Sequence, residues 1–329
     1  EFSIITDNME EGFLVIDSHT EVLSYNSSAL RLLGAREQDA RQSVLALNRS
    51  ESFQRTVEKV LGGQHVISNQ EFQGITCQVA ANPVFQEGKV TGAVILILDV
   101  TEKMKGEQMR REFTANVSHE LKTPLTSISG FAEIINDGFV KPEDTKKFAG
   151  RIFKEAQRLI TLVNDVIKIS QLDEGKLPYE KEEVDLYEAV RETFLRIEDH
   201  AKAEGVHLYL YGPHIKSNTV KTILDEIIYN LCDNGIKYNK KGGSLTVTIS
   251  QEGEKPVVTV EDTGIGISEE DQKRIFERFY RVDKSHSKAI GGTGLGLSIV
   301  KHGTMFLGAD MKVESTLGEG SKFILILPE

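Results

Sequence analysis

Val117-Ser118-His119-Glu120-Leu121-Lys122-Thr123-Pro124 is the stretch on which the reading of this chain turns. Val117 and Leu121 belong to an apolar stripe with Phe113, Ile128, Phe131 and Ile135, at helical spacings of three, four and seven, which predicts an amphipathic helix. At about 100° per residue, His119 points roughly 160–200° away from Val117 and Leu121, into solvent. An exposed imidazole keeps a nitrogen lone pair, which a phosphoryl acceptor needs. Glu120 can hold the other ring nitrogen and help to take its proton. Thr123, one turn on, lies on the same face as His119. Pro124 has no amide hydrogen, so the Glu120 carbonyl loses its helical partner and the helix bends beside the histidine. A surface histidine next to a kink fits the same residues, yet none of the other seven histidines combines a helix, a carboxylate, a hydroxyl and a proline.

Downstream, Ile152, Ala156, Leu159, Val163 and Val166 alternate by four and three, the pattern of a coiled-coil seam. Asp137-Gly138 through Pro142 reads as the turn between the two helices. Such a hairpin has little core of its own, so its seam is expected to close on a second copy as a four-helix bundle, making a homodimer. Upstream, residues 12–17 and 22–25 read as a strand hairpin, 29–33 as a short helix ended by Gly34, and the neighbourhoods of 75–80 and 90–98 as strands around a turn with Gly88. The expected organisation is a sensor-sized α+β module over 1–101, a linker over 102–112, the helical hairpin over 113–176 and a mixed domain over 177–329.

A chain of 329 residues suits two or three domains. The formal net charge is −11, from 39 basic and 50 acidic residues, which disfavours direct nucleic-acid binding and anionic lipid surfaces; the hairpin alone lacks an acidic surplus. Two cysteines, Cys77 and Cys232, make no disulfide framework. The longest apolar run, 93–98, falls far short of the roughly 20 residues of a membrane span. The first residue is Glu1, and the chain reads as a soluble piece of a longer protein, with any membrane anchor lying upstream of it.

The last third carries three further elements. Asn230 and Asn234 are i, i+4 neighbours on a predicted helix, where amide oxygens suit Mg2+, and Lys237 adds a cation; the pair alone also reads as polar surface. A predicted strand runs into Glu261-Asp262-Thr263-Gly264-Ile265-Gly266-Ile267. Asp262 can accept from an exocyclic amine such as that of adenine while Gly264 and Gly266 let backbone approach the ring; a β-turn explains the pattern equally. Gly291-Gly292-Thr293-Gly294-Leu295-Gly296-Leu297 precedes a helix-like run, so its amides can cradle an anion. Neither the dinucleotide G-x-G-x-x-G spacing nor a P-loop is present, so the nucleotide site is of another type. Arg281, between the two glycine clusters, can reach phosphate.

In this order the elements resemble those of bacterial sensor histidine kinases of two-component signalling, over nearly the whole chain. Residues 113–135 look like the H box, 230–238 the N box, 262–266 the G1 box, 276–280 the F box and 292–297 the G2 box. The resemblance implies a multidomain α+β protein: a PAS module, an antiparallel hairpin dimerising into a four-helix bundle, and a C-terminal α/β-sandwich ATP-binding domain of the Bergerat type. It implies that His119 accepts the γ-phosphoryl group of ATP with Glu120 as base, and that Thr123 positions water for dephosphorylating a partner. Asn234 would bind Mg2+ with Asn230 in support; Lys237, Tyr238, Arg281 and the loop Gly292, Thr293, Gly294, Leu295, Gly296 would line the nucleotide; Asp262, with Gly264 and Gly266, would hold adenine. Residues 282–290 would form a mobile lid and a linker near 177 the hinge. The implied partners are a second copy, a response-regulator receiver domain and a small ligand or signal at the PAS module; the implied setting is the cytoplasmic portion of a membrane-anchored protein. Gly235 departs from the family's usual alanine, and Gly303-Thr304 is expected to interrupt the last helix. An ATP-driven clamp would place the ATP-binding fold first in the chain, and a degenerate scaffold would not need the full set of His119, Asn234, Asp262 and the glycine loop.

Overall fold

The computed structural model describes residues 8–36, 43–174, 180–282 and 292–329. They form two compact units, 1–112 and 113–329.

In the first unit, β1 (Gly12–Asp17) and β2 (Val22–Tyr25) make the expected hairpin, followed by α1 (Ser27–Leu33), α2 (Val44–Leu47), α3 (Glu51–Leu61), β3 (Val66–Phe72), β4 (Ile75–Gln86) and β5 (Lys89–Asp99). The strands build one antiparallel sheet in the order β2-β1-β5-β4-β3. Alternation places Leu14 and Ile16, Val79 and Ala81, and Ile95 and Ile97 on the inner face. Phe53, Val57 and Val60 of α3 cover that face, with Phe53 edge-on to Phe72 at 5.9 Å. The expected elements omit α3 and β3, although Ser50 caps α3 through Phe53 N–H and the i, i+4, i+7 stripe is plain.

Two long helices follow, α4 (Thr101–Asn136) and α5 (Thr145–Glu174), the first carrying Pro124 in its interior. Phe113, Val117, Leu121, Ile128, Phe131 and Ile135 are half-buried along one side, as their spacing predicts. Phe131 meets Phe148 of α5 edge-on at 5.8 Å, and the Arg151 guanidinium lies over both rings. In the single chain the seam positions Ile152, Ala156, Leu159 and Val166 are half-buried and Val163 is 41% exposed, while Leu162 and Ile169, outside the expected seam, are buried. The stripe turns because the second half of α5 packs on the α/β domain as well as on α4.

That domain runs β6 (Glu182–Asp185), α6 (Leu186–Glu204), β7 (His207–Tyr211), β8 (Lys216–Thr219), α7 (Lys221–Lys237), β9 (Ser244–Glu252), β10 (Lys255–Asp262), α8 (Glu269–Gln272), α9 (Gly296–Leu307), β11 (Asp310–Thr316) and β12 (Gly320–Ile326). Its five-stranded sheet, β11-β12-β10-β9-β7, is antiparallel except for β7 beside β9. The helices α6, α7 and α9 bury Ile197, Leu224, Ile227, Leu231 and Val300 against Leu245, Val247, Val258, Val260, Phe323 and Leu325. This is the mixed sandwich that the sequence predicts.

The helix α9 is continuous through Gly303 and Thr304, contrary to the expected interruption. A Cβ on Gly303 would stand 3.1 Å from Ile227 Cγ1 and 3.2 Å from Ile223 Cγ2, so the glycine lets α9 press onto α7. That packing outweighs the propensity cost of about 1 kcal/mol for a mid-helix glycine. Thr304 satisfies its buried hydroxyl on the Val300 carbonyl. The expected lid beyond Val282 and the linker near 177 lie outside the described residues. Among the described residues, no helix is long and apolar enough to cross a membrane. Replacing Gly303 with valine is expected to destabilise the domain by about 1–3 kcal/mol through overpacking, read as a lower Tm in calorimetry.

Candidate functional site

His119 lies on the exposed side of α4. Its carbonyl accepts from Thr123 Oγ1 at 3.2 Å. Glu120 is engaged elsewhere than expected: its Oε2 pairs with Arg158 of α5 at 3.5 Å, across the helical pair, rather than with the imidazole. Pro124 is buried. Around it Ser118, Thr123, Thr126 and Ser127 each donate to the carbonyl four residues back.

The glycine-rich elements converge at the C-terminal end of α7. Asn230 Nδ2 donates to the Glu226 carbonyl at 2.8 Å, which leaves Oδ1 as the outward oxygen. A Cβ on Gly296, the first residue of α9, would stand 2.8 Å from Asn230 Oδ1 and 3.9 Å from Asn234 Nδ2. The absence of a side chain at Gly296 therefore lets the helix start against both amides. Tyr238 ties three motifs together. It ends α7 with its N–H on the Asn234 carbonyl at 3.0 Å, its own carbonyl accepts from Ile265 N–H at 3.1 Å, and its hydroxyl approaches Gly292. Lys237 is paired with Asp233, which His200 of α6 also approaches at 3.3 Å. The expected phosphate cation thus begins in an ion pair.

Asp262 ends β10 with Oδ1 on Gly264 N–H at 2.8 Å. Burial pushes its carboxyl up from the ordinary value of 3.8, opposed by the backbone N–H groups of Gly264 and Ser321. A Cβ on Gly264 would run into the Tyr238 carbonyl, and Gly266 sits at φ +68° against Thr316. Beside them, Thr263 Oγ1 accepts from Ser244 N–H at 2.8 Å and Asn239 Nδ2 donates to the Gly235 carbonyl, a network that fixes the turn. Gly235 itself faces Leu245, whose side chain fills the space an alanine methyl would take.

The second glycine loop divides its loyalties. Thr293 Oγ1 donates to Asp165 Oδ2 of α5 at 2.8 Å and accepts from Leu295 N–H at 3.3 Å. The Leu295 side chain, expected beside a nucleotide, is fully buried with Ile299 against Leu162 and Ile169. Gly294, at φ +74°, packs on Phe279 and accepts its N–H at 2.9 Å. Arg281 is half-buried just before the undescribed stretch. Its neighbour Arg278 was not among the expected residues, yet it makes a two-pronged contact with Asp173 at 2.9 and 2.7 Å and lies over the Phe113 ring. His302 Nδ1 meets the same carboxylate at 3.0 Å. Asp165 carries a legible signal, being a carboxylate inside the apolar stripe of Leu162 and Ile169; Arg278 carries none.

The whole arrangement places the loop between Asn230 and Asn234, the Asp262 turn and the helical pair bearing His119 within one compact unit. Because burial raises the Asp262 pKa, the folded protein keeps that proton to higher pH than the unfolded chain, and stability falls as pH rises from 3.8 through the raised value. Asp262→Asn, without nucleotide, is therefore expected to be more stable than the parent at pH 7, with the gap narrowing in acid, as measured by urea unfolding at both pH values.

Residues 219–329 match the family of histidine kinase-, DNA gyrase B- and HSP90-like ATPases, residues 109–175 the His Kinase A phospho-acceptor domain, and residues 6–105 the PAS fold. The sensor histidine kinase WalK of Bacillus subtilis is 32% identical over 97% of this chain and 54% of its own length. A sensor protein kinase WalK of Staphylococcus aureus is 31% identical over 99% of this chain and 80% of its own length. The chain spans about half the length of the first of these relatives. Among solved structures, histidine kinase ThkA in complex with response regulator protein TrrA superposes with a TM-score of 0.54, at 23% identity, over 99% of this chain and 97% of that one. Acinetobacter baumannii histidine kinase AdeS gives 0.53 at 23% identity over 64% and 96%. At that identity the superpositions speak for the fold, and the curated relatives for the family. A PAS module, a phospho-acceptor helical pair and an ATPase-type sandwich in this order, with a relative alike over four-fifths of its own length, make the chain a member of the bacterial sensor histidine kinases.

Proposed function

We propose that this chain uses ATP to phosphorylate its own His119 and passes the phosphoryl group to an aspartate of a response-regulator receiver domain. The observation that carries the reading is the exposed His119 ring on α4, in the same compact unit as the convergent Asn230, Asn234, Asp262 and Gly292–Gly296 elements. A nitrogen of the imidazole attacks the γ-phosphorus, the bond from that phosphorus to the β,γ-bridging oxygen breaks, and ADP leaves with the electron pair. Glu120 takes the ring proton; its contact with Arg158 is long, at 3.5 Å, and partly exposed, so the carboxylate can turn. The phosphoramidate formed on His119 is then attacked by the regulator's carboxylate. Thr123, one turn beyond His119, is assigned to hold the water that attacks the regulator's aspartyl phosphate in the phosphatase activity, breaking its P–O bond to the aspartate and releasing inorganic phosphate.

Asp262 is assigned to the adenine amine, Tyr238, Lys237 and Arg281 to the nucleotide's flanks, and the amides of Gly292, Thr293, Gly294, Leu295 and Gly296 to phosphate oxygens. Mg2+ fits the hard amide oxygens of Asn234, with Asn230 beside it, and would neutralise phosphate charge.

Two copies are assigned to associate through α4 and α5. Phe153, Ile160, Val163 and Ile167 form a stripe on α5 at intervals of seven, three and four, and all are at least 41% exposed. Leu125 and Ile134 extend the apolar surface on α4. A stripe of this kind suits the core of a four-helix bundle.

Incubation with γ-labelled ATP and Mg2+ is expected to give acid-labile, base-stable label on the parent and none on His119→Gln; equal label on both overturns the assignment. Ile160→Glu places a charge in the proposed bundle core and is expected to shift the chain from dimer to monomer in light scattering at micromolar concentration.

A further inference from the structure

We infer that Asp165 on α5 stands in for a nucleotide phosphate at the Gly292–Gly296 loop, so that seating of the helical pair on this loop and binding of ATP oppose each other. The inference rests on the nucleotide reading of that loop and adds a residue to it. Asp165 Oδ2 takes the Thr293 hydroxyl at 2.8 Å, a donor of the same loop whose amides are assigned to phosphate. The carboxylate is also within electrostatic reach of Lys237, the cation at the end of α7. A carboxylate accepting from a loop hydroxyl, with a lysine in electrostatic range, resembles a phosphate oxygen in charge and in the donor it takes.

The setting gives the charge its meaning. Asp165 lies between Leu162 and Ile169, which are buried with Leu295 and Ile299, so a purely adhesive contact would do better with an apolar side chain. Burial, with the charge of Glu226 behind it, pushes its carboxyl up, against the Thr293 hydroxyl, Lys168 and Lys237, which hold it down. Two further charged side chains of α5 seat the helix: Lys168 on Glu226 at 2.8 Å, and Asp173 on Arg278 and His302. Neither sets a negative charge on the glycine loop. When the anionic phosphates of ATP come to that loop, Asp165 becomes a like charge at short range in a partly dry contact. The nucleotide then favours forms in which α5 has left the loop, and the seated form lowers nucleotide affinity by the same factor.

Calorimetric titration of the full chain with a non-hydrolysable ATP analogue and Mg2+ tests this. Asp165→Asn, similar in shape and neutral, is expected to bind about tenfold more tightly than the parent, while Asp165→Glu, which keeps the charge, stays within about twofold of it. Leu162→Asn, which breaks the apolar contact without adding charge and leaves the loop's donors untouched, is expected to tighten binding as Asp165→Asn does. Equal affinity in the parent and Asp165→Asn overturns the inference and leaves the nucleotide reading standing. Equal tightening by Asn and Glu also overturns it, because packing rather than charge would then be the cause. An analogue that binds none of the proteins overturns the nucleotide reading and the inference with it.

Discussion

Leu295 and Ile299 of the α/β domain meet Leu162 and Ile169 of α5 in a contact closed to water, and the other ties between helical pair and domain are arranged around it. Each such side chain contributes about 1.5–3 kcal/mol when fully buried. The polar ties of Asp165, Lys168 and Asp173 would be worth little on an open surface, where ion pairs contribute about 0–1 kcal/mol. Beside a dry contact they set direction and register. The same leucine that anchors the domain belongs to the glycine loop, so the loop's backbone cannot move far without disturbing the contact. The helical pair and the glycine loop are therefore tied to each other through one residue with two neighbours.

Legibility in the sequence followed the length scale of the forces. The long helices are readable because Phe113, Val117, Leu121 and their successors repeat over many turns; of the sandwich, the strand running into Asp262 and its glycine-rich turn is readable from the residues, while the architecture comes through the resemblance. The convergence of Asn230, Gly296 and Tyr238 was readable only through resemblance, since nothing in their separations along the chain dictates contact. In the first unit, α3 carries a legible stripe in Phe53, Val57 and Val60 and a cap in Ser50.

What stayed hidden is instructive in a physical way. A heptad pattern states that a face is apolar without stating what covers it. On α5 the stripe serves two different neighbours, and Val163 and Leu162 exchange roles where the neighbour changes. Arg278 and Asp173 are more than a hundred residues apart and meet only after the fold has closed. Gly303 misled for the opposite reason: local propensity counts against it, while the pressure of Ile223 and Ile227 requires it.

The hydroxyls along α4 bear on how that helix behaves under load. Four Ser and Thr side chains share the carbonyls of the turns around Pro124, where one backbone hydrogen bond is already missing. Shared acceptors soften a helix. A twist or thrust applied anywhere along α4 would thus be spent in one short compliant section, and the ring of His119 rides on it like a pointer on a spring.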